Sequence, residues 1–259
     1  MLIYHQLTKR FNASRLRAVM CSGQAVVMHR LAITSKDGDW IVRENPEDLD
    51  FILSVLAESG ATYRFGAPLD ARWLAGGWSA HFEFRHDGLR VRTDFFSRPP
   101  RLQPSDLDRL WTDSASQEIP FTGMRELVLM KMTMREKDYP IIGELARRLE
   151  SIDDQFLFSR SARDLIALAE NHTIPPAILA SRPLLEKIQD GEDVLAAALD
   201  HERRQMIKAD EARLARYKAA SESWESAWPS LSKEISSLPL HAAHQRIAAA
   251  AETLLPQHP

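Results

Sequence analysis

The chain carries two hydrophobic rhythms, and one gives way to the other near residue 123. In the first part apolar residues come in short runs or in strict alternation. Residues 1–16 predict a helix or cap in which Leu7, Phe11 and Leu16 pack while Lys9, Arg10 and Arg15 stay in water. Arg17-Ala18-Val19-Met20-Cys21 is a brief apolar run closed by Ser22-Gly23, the pattern of a buried strand. Ala25 to His29 opens a short helix, and Gly38 to Arg43 predicts a second strand. Asn45 is a good cap for a helix with Pro46 in its first turn. Phe51, Ile52, Val55 and Leu56 recur there at helical spacing, and Gly60 stops it. Tyr63-Arg64-Phe65 predicts a short strand, and 66–77 a loop. His81-Phe82-Glu83-Phe84-Arg85 and Leu89 to Phe95 alternate on either side of His86-Asp87-Gly88, which predicts a hairpin that Pro99-Pro100 ends.

Beyond residue 123 the period changes to that of helices. Leu127, Val128, Met130 and Lys131 share one helix, and Ile141, Leu145 and Leu149 form the stripe of another. Further helices fit 161–171, 175–189 and 191–220, and Pro229, Pro239 and Pro256 divide the tail into short ones. The expected architecture is α+β: a small mixed β-sheet flanked by helices over 1–122, followed by a helical C-terminal region over 123–259.

Composition changes this picture little. The 259 residues are 44% hydrophobic and 27% charged, with a net charge of −3, so no global basic field points to nucleic acid. Cys21 is the only cysteine, which removes internal disulfides and cysteine-based zinc sites and fits a reducing, cytoplasmic compartment. The N-terminus shows no basic region followed by a long apolar one, and no apolar stretch approaches the roughly 20 residues of a membrane helix. The nine histidines show no spacing typical of zinc sites; His201, His241 and His244 are expected at the surface or the edge of the core.

The candidate chemistry lies in Ser35-Lys36-Asp37-Gly38-Asp39-Trp40-Ile41-Val42. Asp37 and Asp39, one residue apart at the start of a strand, share a face and repel each other. A divalent cation would remove that cost. Asp94 lies on a later apolar strand; if the two strands are neighbours, three carboxylates converge, enough for hard cations such as Mg²⁺. Upstream, Ser22-Gly23 stands between a strand and a helix, where backbone N–H groups can meet a phosphate. Read singly, Asp37-Gly38-Asp39 also suits a plain turn, and Ser22-Gly23 an ordinary strand-to-helix connection.

In combination these residues resemble the DNA polymerase β-like nucleotidyltransferase superfamily, most of all its minimal bacterial members, which include toxin-antitoxin and abortive-infection proteins. The resemblance runs from Met20 to about Leu149 and includes Arg135-Glu136-Lys137-Asp138. It implies Mg²⁺-dependent transfer of a nucleoside monophosphate from an NTP to a hydroxyl of RNA, protein or a small molecule. It also implies that Ser22 and Gly23 hold phosphate, that Asp37, Asp39 and Asp94 hold metal, that Asp94 helps deprotonate the acceptor, and that Lys131 and Lys137 face the triphosphate. The sequence departs from the family pattern at four places. Ser22 precedes the glycine, Gln24 replaces a bulky apolar residue, Gly38 separates the aspartates, and Ile33 stands where an arginine is frequent.

Arg85, Arg90, Arg92, Arg98 and Arg101 gather around the hairpin. By parity Arg90, Arg92 and Asp94 share a face, suited to a triphosphate or an RNA backbone, or else simply solvated. Trp73-Leu74-Ala75-Gly76-Gly77-Trp78 predicts core packing, with a base-stacking loop as the alternative. Residues 200–220 predict a solvated helix laced with ion pairs, with Met206, Leu214 and Tyr217 available to a partner helix. The readings left open are a nucleotidyltransferase, a catalytically degenerate binding or regulatory module on the same scaffold, and a metal-dependent phosphohydrolase.

Overall fold

The computed structural model describes residues 2–133 and 138–259. The fold is α+β. Among the described residues one mixed sheet of five strands has the order β1-β2-β5-β4-β3: β1 (Ala18–Cys21), β2 (Gly38–Val42), β5 (Leu89–Phe96), β4 (Ala80–His86) and β3 (Thr62–Tyr63). β2 and β5 run parallel, and every other neighbouring pair is antiparallel. Helices α1 (Leu2–Phe11), α2 (Ser22–Met28), α3 (Pro46–Glu58), α4 (Ala71–Ala75) and α5 (Pro104–Ser114) punctuate the strands. The β4–β5 turn is Asp87-Gly88, both in the left-handed region at φ 48° and 76°. That is the two-residue geometry whose twist matches a hairpin.

The chain forms two compact units, Met1–Gly123 with Ala215–Pro259, and Met124–Leu214. In the first unit one sheet face is aromatic. The Trp40 and Phe95 rings stack at 5.4 Å, and Phe11 meets both edge-on at 5.3 and 5.6 Å. Such pairs add about 1 kcal/mol each beyond their burial. The buried indole of Trp40 donates to Thr8 Oγ1 at 2.9 Å, and Thr8 donates in turn to the Tyr4 carbonyl at 2.7 Å, so the indole N–H and the Thr8 hydroxyl are both satisfied. Asn45 caps α3 by accepting from the Asp48 N–H. Asp48 pairs with the buried Arg17 at 3.0 Å, and the Arg17 guanidinium lies over Phe51.

Several elements differ from the sequence expectation. Residues 71–75, inside the expected loop, form α4 because Asp70 caps it through the Arg72 N–H. α5 has no counterpart in the expectation; Gln103, Pro104 and Asp106 make a capping box with proline in the first turn. The expected helix over 175–189 breaks at Arg182, before Pro183, into α10 (Pro176–Ser181) and a 3₁₀ segment, Pro183–Asp190. Pro229, expected to divide the tail, lies inside α12 (Glu222–Ile235), where Trp224, Leu231 and Ile235 are buried. Trp73, Phe82 and Phe84 are core residues, which excludes the base-stacking alternative for Trp73.

The tail belongs with the sheet rather than with residues 124–214. Trp224, Leu231, Ile235, Ile247 and Ala251, from α12 and α13 (Leu240–Leu254), share one core with Trp40 and Tyr63. The Trp73 and Trp78 indoles donate to the carbonyls of Leu255 and Pro256 at 3.0 and 2.8 Å. Tyr217, read as a seat for a partner helix, donates to the Gly76 carbonyl at 2.7 Å and meets the Trp78 ring edge-on.

His244 ties α13 to this core. The Leu69 N–H donates to Tyr63 Oη at 3.1 Å, and the phenol and His244 Nδ1 share a hydrogen bond of 2.7 Å. Burial lowers the His244 pKa; the Asp70 and Asp50 charges oppose this, while His241 and Arg72 add to it. The unfolded chain takes up the proton near 6.5, the native imidazole only at lower pH. Stability is therefore full above about pH 6.5 and falls as the solution is acidified, by at most about 1.4 kcal/mol per pH unit. Urea melts of the native chain and His244→Asn between pH 5 and 7 should show a shallower pH slope in the variant.

The second unit is helical: α6 (Met124–Lys131), α7 (Tyr139–Arg147), α8 (Ile152–Phe158), α9 (Ala162–Asn171), α10, the 3₁₀ segment and most of α11 (Glu192–Ala220). Phe156, Leu165, Ile178, Leu185, Leu195 and Leu199 form a core. The buried Arg182 donates to the Phe156 carbonyl at 2.6 Å and pairs with Glu202 at 3.0 Å. No helix among the described residues is long and apolar enough to cross a membrane.

Candidate functional site

Strand pairing brings the acidic residues to one place. The antiparallel β1–β2 register sets Cys21 opposite Asp39, and the parallel β2–β5 register sets Asp39 opposite Asp94. Opposed residues on adjacent strands share a face, about 4.8 Å apart along the hydrogen-bonding direction. The next pair along, Trp40 and Phe95, points into the aromatic core. Asp39 and Asp94 therefore project from the other face, where both are partly exposed.

Asp37 lies in the bend just before β2. The loop that carries it is held by Tyr4. The Tyr4 phenol donates to the Lys36 carbonyl at 2.6 Å. Its pKa is raised, first by burial and then by the charges of Asp37, Asp39 and Asp94 together, against a hydrogen bond with the Arg92 backbone. Gly38 also answers to Tyr4. A Cβ on Gly38 would stand 2.4 Å from Trp40 Cη2 and 2.5 Å from Tyr4 Cδ1. The space a side chain would take is already filled by the aromatic core.

The turn between β1 and α2 lies at the same end of the sheet, because Cys21 is the register partner of Asp39. A Cβ on Gly23 would meet Ser35 Oγ at 2.2 Å, so the loop leading to β2 closes directly over this glycine. Gln24, buried, holds that loop by donating to the carbonyls of Ser35 and Asp37, each at 3.1 Å. An apolar side chain at this position could not do so. Ser22 takes the left-handed backbone, φ 53°. For a residue with a Cβ this costs about 1–2 kcal/mol. Ser22→Gly is expected to stabilise the protein by about 1 kcal/mol, read as a higher midpoint in chemical unfolding.

Cations that parity alone placed loosely are engaged. Asp94 Oδ1 accepts from His81 Nδ1 at 2.7 Å and from Arg64 Nη1 at 3.3 Å. Arg64 also lies 3.8 Å from Glu83, and Arg90 pairs with Glu83. Arg92, opposite Glu83 in the register, has a buried Nε with no hydrogen-bond partner among the described residues. Arg98 instead pairs with Glu44 at 2.6 Å, and Arg85 sits opposite Arg90. His81 and Arg64 escaped the sequence reading of the site. A signal for His81 existed: equal steps either side of the Asp87-Gly88 turn set it opposite Asp94. Arg64 follows β3, a strand of two residues whose place beside β4 no local pattern announces.

Lys131 lies in the helical unit, where its buried ammonium is 3.5 Å from the buried Asp138. Lys137, with Arg135 and Glu136, lies outside the described residues.

Two carboxylates side by side suit Mg²⁺, which takes one or two carboxylates and completes its shell with water and substrate phosphates. A ready three-ligand cage is a different matter. Among the described residues no group of three or more His, Cys, Asp or Glu is gathered to hold a metal ion. The residues present thus fit a cation held by Asp39 and Asp94 and shared with a phosphate ligand.

No protein-family model matches the chain, and no curated protein matches it by sequence. Two solved structures are similar. One is a candidate nucleotidyltransferase from H. pylori, 10% identical, with a TM-score of 0.39 over 79% of this chain and 95% of that one. The other is JHP933 from Helicobacter pylori, 11% identical, with a TM-score of 0.39 over 83% of this chain and 96% of that one. At this degree of superposition and identity the similarity carries neither activity nor substrate to the present chain.

Proposed function

We propose that the face bearing Asp39 and Asp94 is a nucleotidyl-transfer site. The observation that carries this reading is the parallel register of the two aspartates on a partly exposed face, beside the Ser22-Gly23 turn. Two adjacent carboxylates on a partly exposed face offer hard oxygen ligands to a cation shared with a polyphosphate. The backbone of the Ser22-Gly23 turn would meet the phosphates of an NTP once the Ser35 side chain, which lies against Gly23, moves aside. Asp39 and Asp94 would hold Mg²⁺, which when bound neutralises charge on the triphosphate. Asp94 would accept the proton of the acceptor hydroxyl as that oxygen bonds to the α-phosphorus. The bond from the α-phosphorus to the bridging oxygen breaks, and pyrophosphate leaves. The acceptor is a hydroxyl of RNA, protein or a small molecule.

The test is product analysis with each of the four NTPs and Mg²⁺. Pyrophosphate release and a labelled acceptor support transfer, whereas orthophosphate release makes the protein a phosphohydrolase.

A second reading, a binding module that has lost catalysis, is favoured by two observations. Ser22 occupies a backbone position that glycine suits better, and Asp94 already accepts from the side chains of His81 and Arg64. Calorimetry separates the two: no heat from any NTP with Mg²⁺ favours the module.

A further inference from the structure

We infer that His81, seconded by Arg64, is a positioning residue that fixes which oxygen of Asp94 faces the ligand. The inference rests on the reading of Asp94 as a site carboxylate and concerns a residue outside the acidic trio.

The geometry is specific. His81 and Asp94 are register partners on β4 and β5, so their side chains leave the sheet on the same face. An ionised carboxylate can only accept, so at 2.7 Å the imidazole Nδ1 carries the proton and Asp94 Oδ1 receives it. Arg64 Nη1 reaches the same oxygen at 3.3 Å. Among the described residues both donors converge on Oδ1, which leaves Oδ2 for a cation or an acceptor hydroxyl. A carboxylate pinned by one oxygen cannot spin about its final torsion, a motion that is otherwise broad and nearly two-fold. Hydrogen-bond partners behind a metal-binding carboxylate do this elsewhere in protein chemistry, and removing one typically costs 10- to 100-fold in metal affinity. Arg64 is itself held in place, 3.8 Å from Glu83, which Arg90 pairs with from β5. The support therefore spans the neighbouring strands and does not depend on one flexible side chain.

The test uses the full chain and Mn²⁺ alone as the probe, titrated by electron paramagnetic resonance, with thermal melts to confirm folding. Asparagine places its Nδ2 close to where histidine has Nδ1, whereas glutamine reaches past it. His81→Asn should therefore bind Mn²⁺ within about 3-fold of the native chain, while His81→Ala and His81→Gln should lose about 10-fold or more. Native affinity in folded His81→Ala, with binding lost in Asp94→Ala, would overturn the positioning role and leave the metal reading standing. Tighter binding in His81→Ala would show that His81 merely competes with the metal for Asp94, and would also overturn it. If neither the native chain nor its variants distinguish Mn²⁺, or if Asp39→Asn and Asp94→Ala bind as the native chain does, the metal reading fails. Nitrogen-15 NMR of the histidines then decides the hydrogen bond by itself. A His81 Nδ1 resonance that moves in Asp94→Ala keeps the positioning of Asp94, and one that does not move rejects it.

Discussion

Asp39→Asn is expected to lower nucleotidyl transfer by about 10³-fold and to leave the fold intact. The expectation follows from one geometric fact: Asp39 sits directly opposite Asp94 in a parallel register, on a partly exposed face. Asparagine keeps the size of the side chain and removes one of the two adjacent carboxylates on which the proposed cation depends. The loss of transfer should therefore come with a melting temperature within about 3 °C of the native chain. Pyrophosphate release and differential scanning calorimetry on the same preparation measure the two halves. Unchanged transfer in Asp39→Asn would refute the proposed chemistry, and a larger drop in melting temperature would show that Asp39 serves the fold through contacts that asparagine does not reproduce.

Gly38→Val should be among the most damaging single substitutions in the sheet, although valine is a better strand former than glycine and an apolar residue is usual between such aspartates. A single Cβ at this position already falls 2.4 Å from Trp40 Cη2 and 2.5 Å from Tyr4 Cδ1. Neither ring can swing aside freely. Trp40 is buried, stacked on Phe95 and tied to Thr8; Tyr4 is anchored to the Lys36 carbonyl. Overpacking a filled core costs about 1–3 kcal/mol. Gly38→Ala should lie in that range, and Gly38→Val at or above its upper end. The damage is also functional, because pushing Tyr4 away disturbs the loop that positions Asp37. Urea unfolding reads the stability, and tyrosine fluorescence or a crystal structure of Gly38→Ala reads the displacement. If Gly38→Val were as stable as the native chain, the close packing of Tyr4 and Trp40 over Gly38 would be untrue of the protein in solution.

Much of the first unit was legible in the chain because its signals are local. Alternation on both sides of Asp87-Gly88 specifies a hairpin, since the left-handed turn and the period of two are properties of neighbouring residues. Asn45-Pro46 announces a helix start for the same reason, and so does the loss of alternation beyond residue 123. The candidate carboxylates were visible as residue types at strand starts. Their parity was visible too, but not their meeting. The elements missed were those whose signal is short or weak, such as α4 and α5, or those whose breaker is outvoted by burial, as at Pro229.

What the sequence by itself determined is therefore the kind of each long element, the face on which its polar residues lie, and the presence of three acidic residues that no apolar core would welcome. Only the tertiary structure decided that β2 lies beside β5, so that Asp39 faces Asp94. The same holds for His81 and Arg64 reaching one oxygen of Asp94, for Gly38 yielding its space to two rings, and for the last helices returning to the sheet core. The physical reason is range. Period, capping and turn geometry act over a few residues and are written in neighbours, whereas strand order and shared cores are set by which distant apolar faces bury one another.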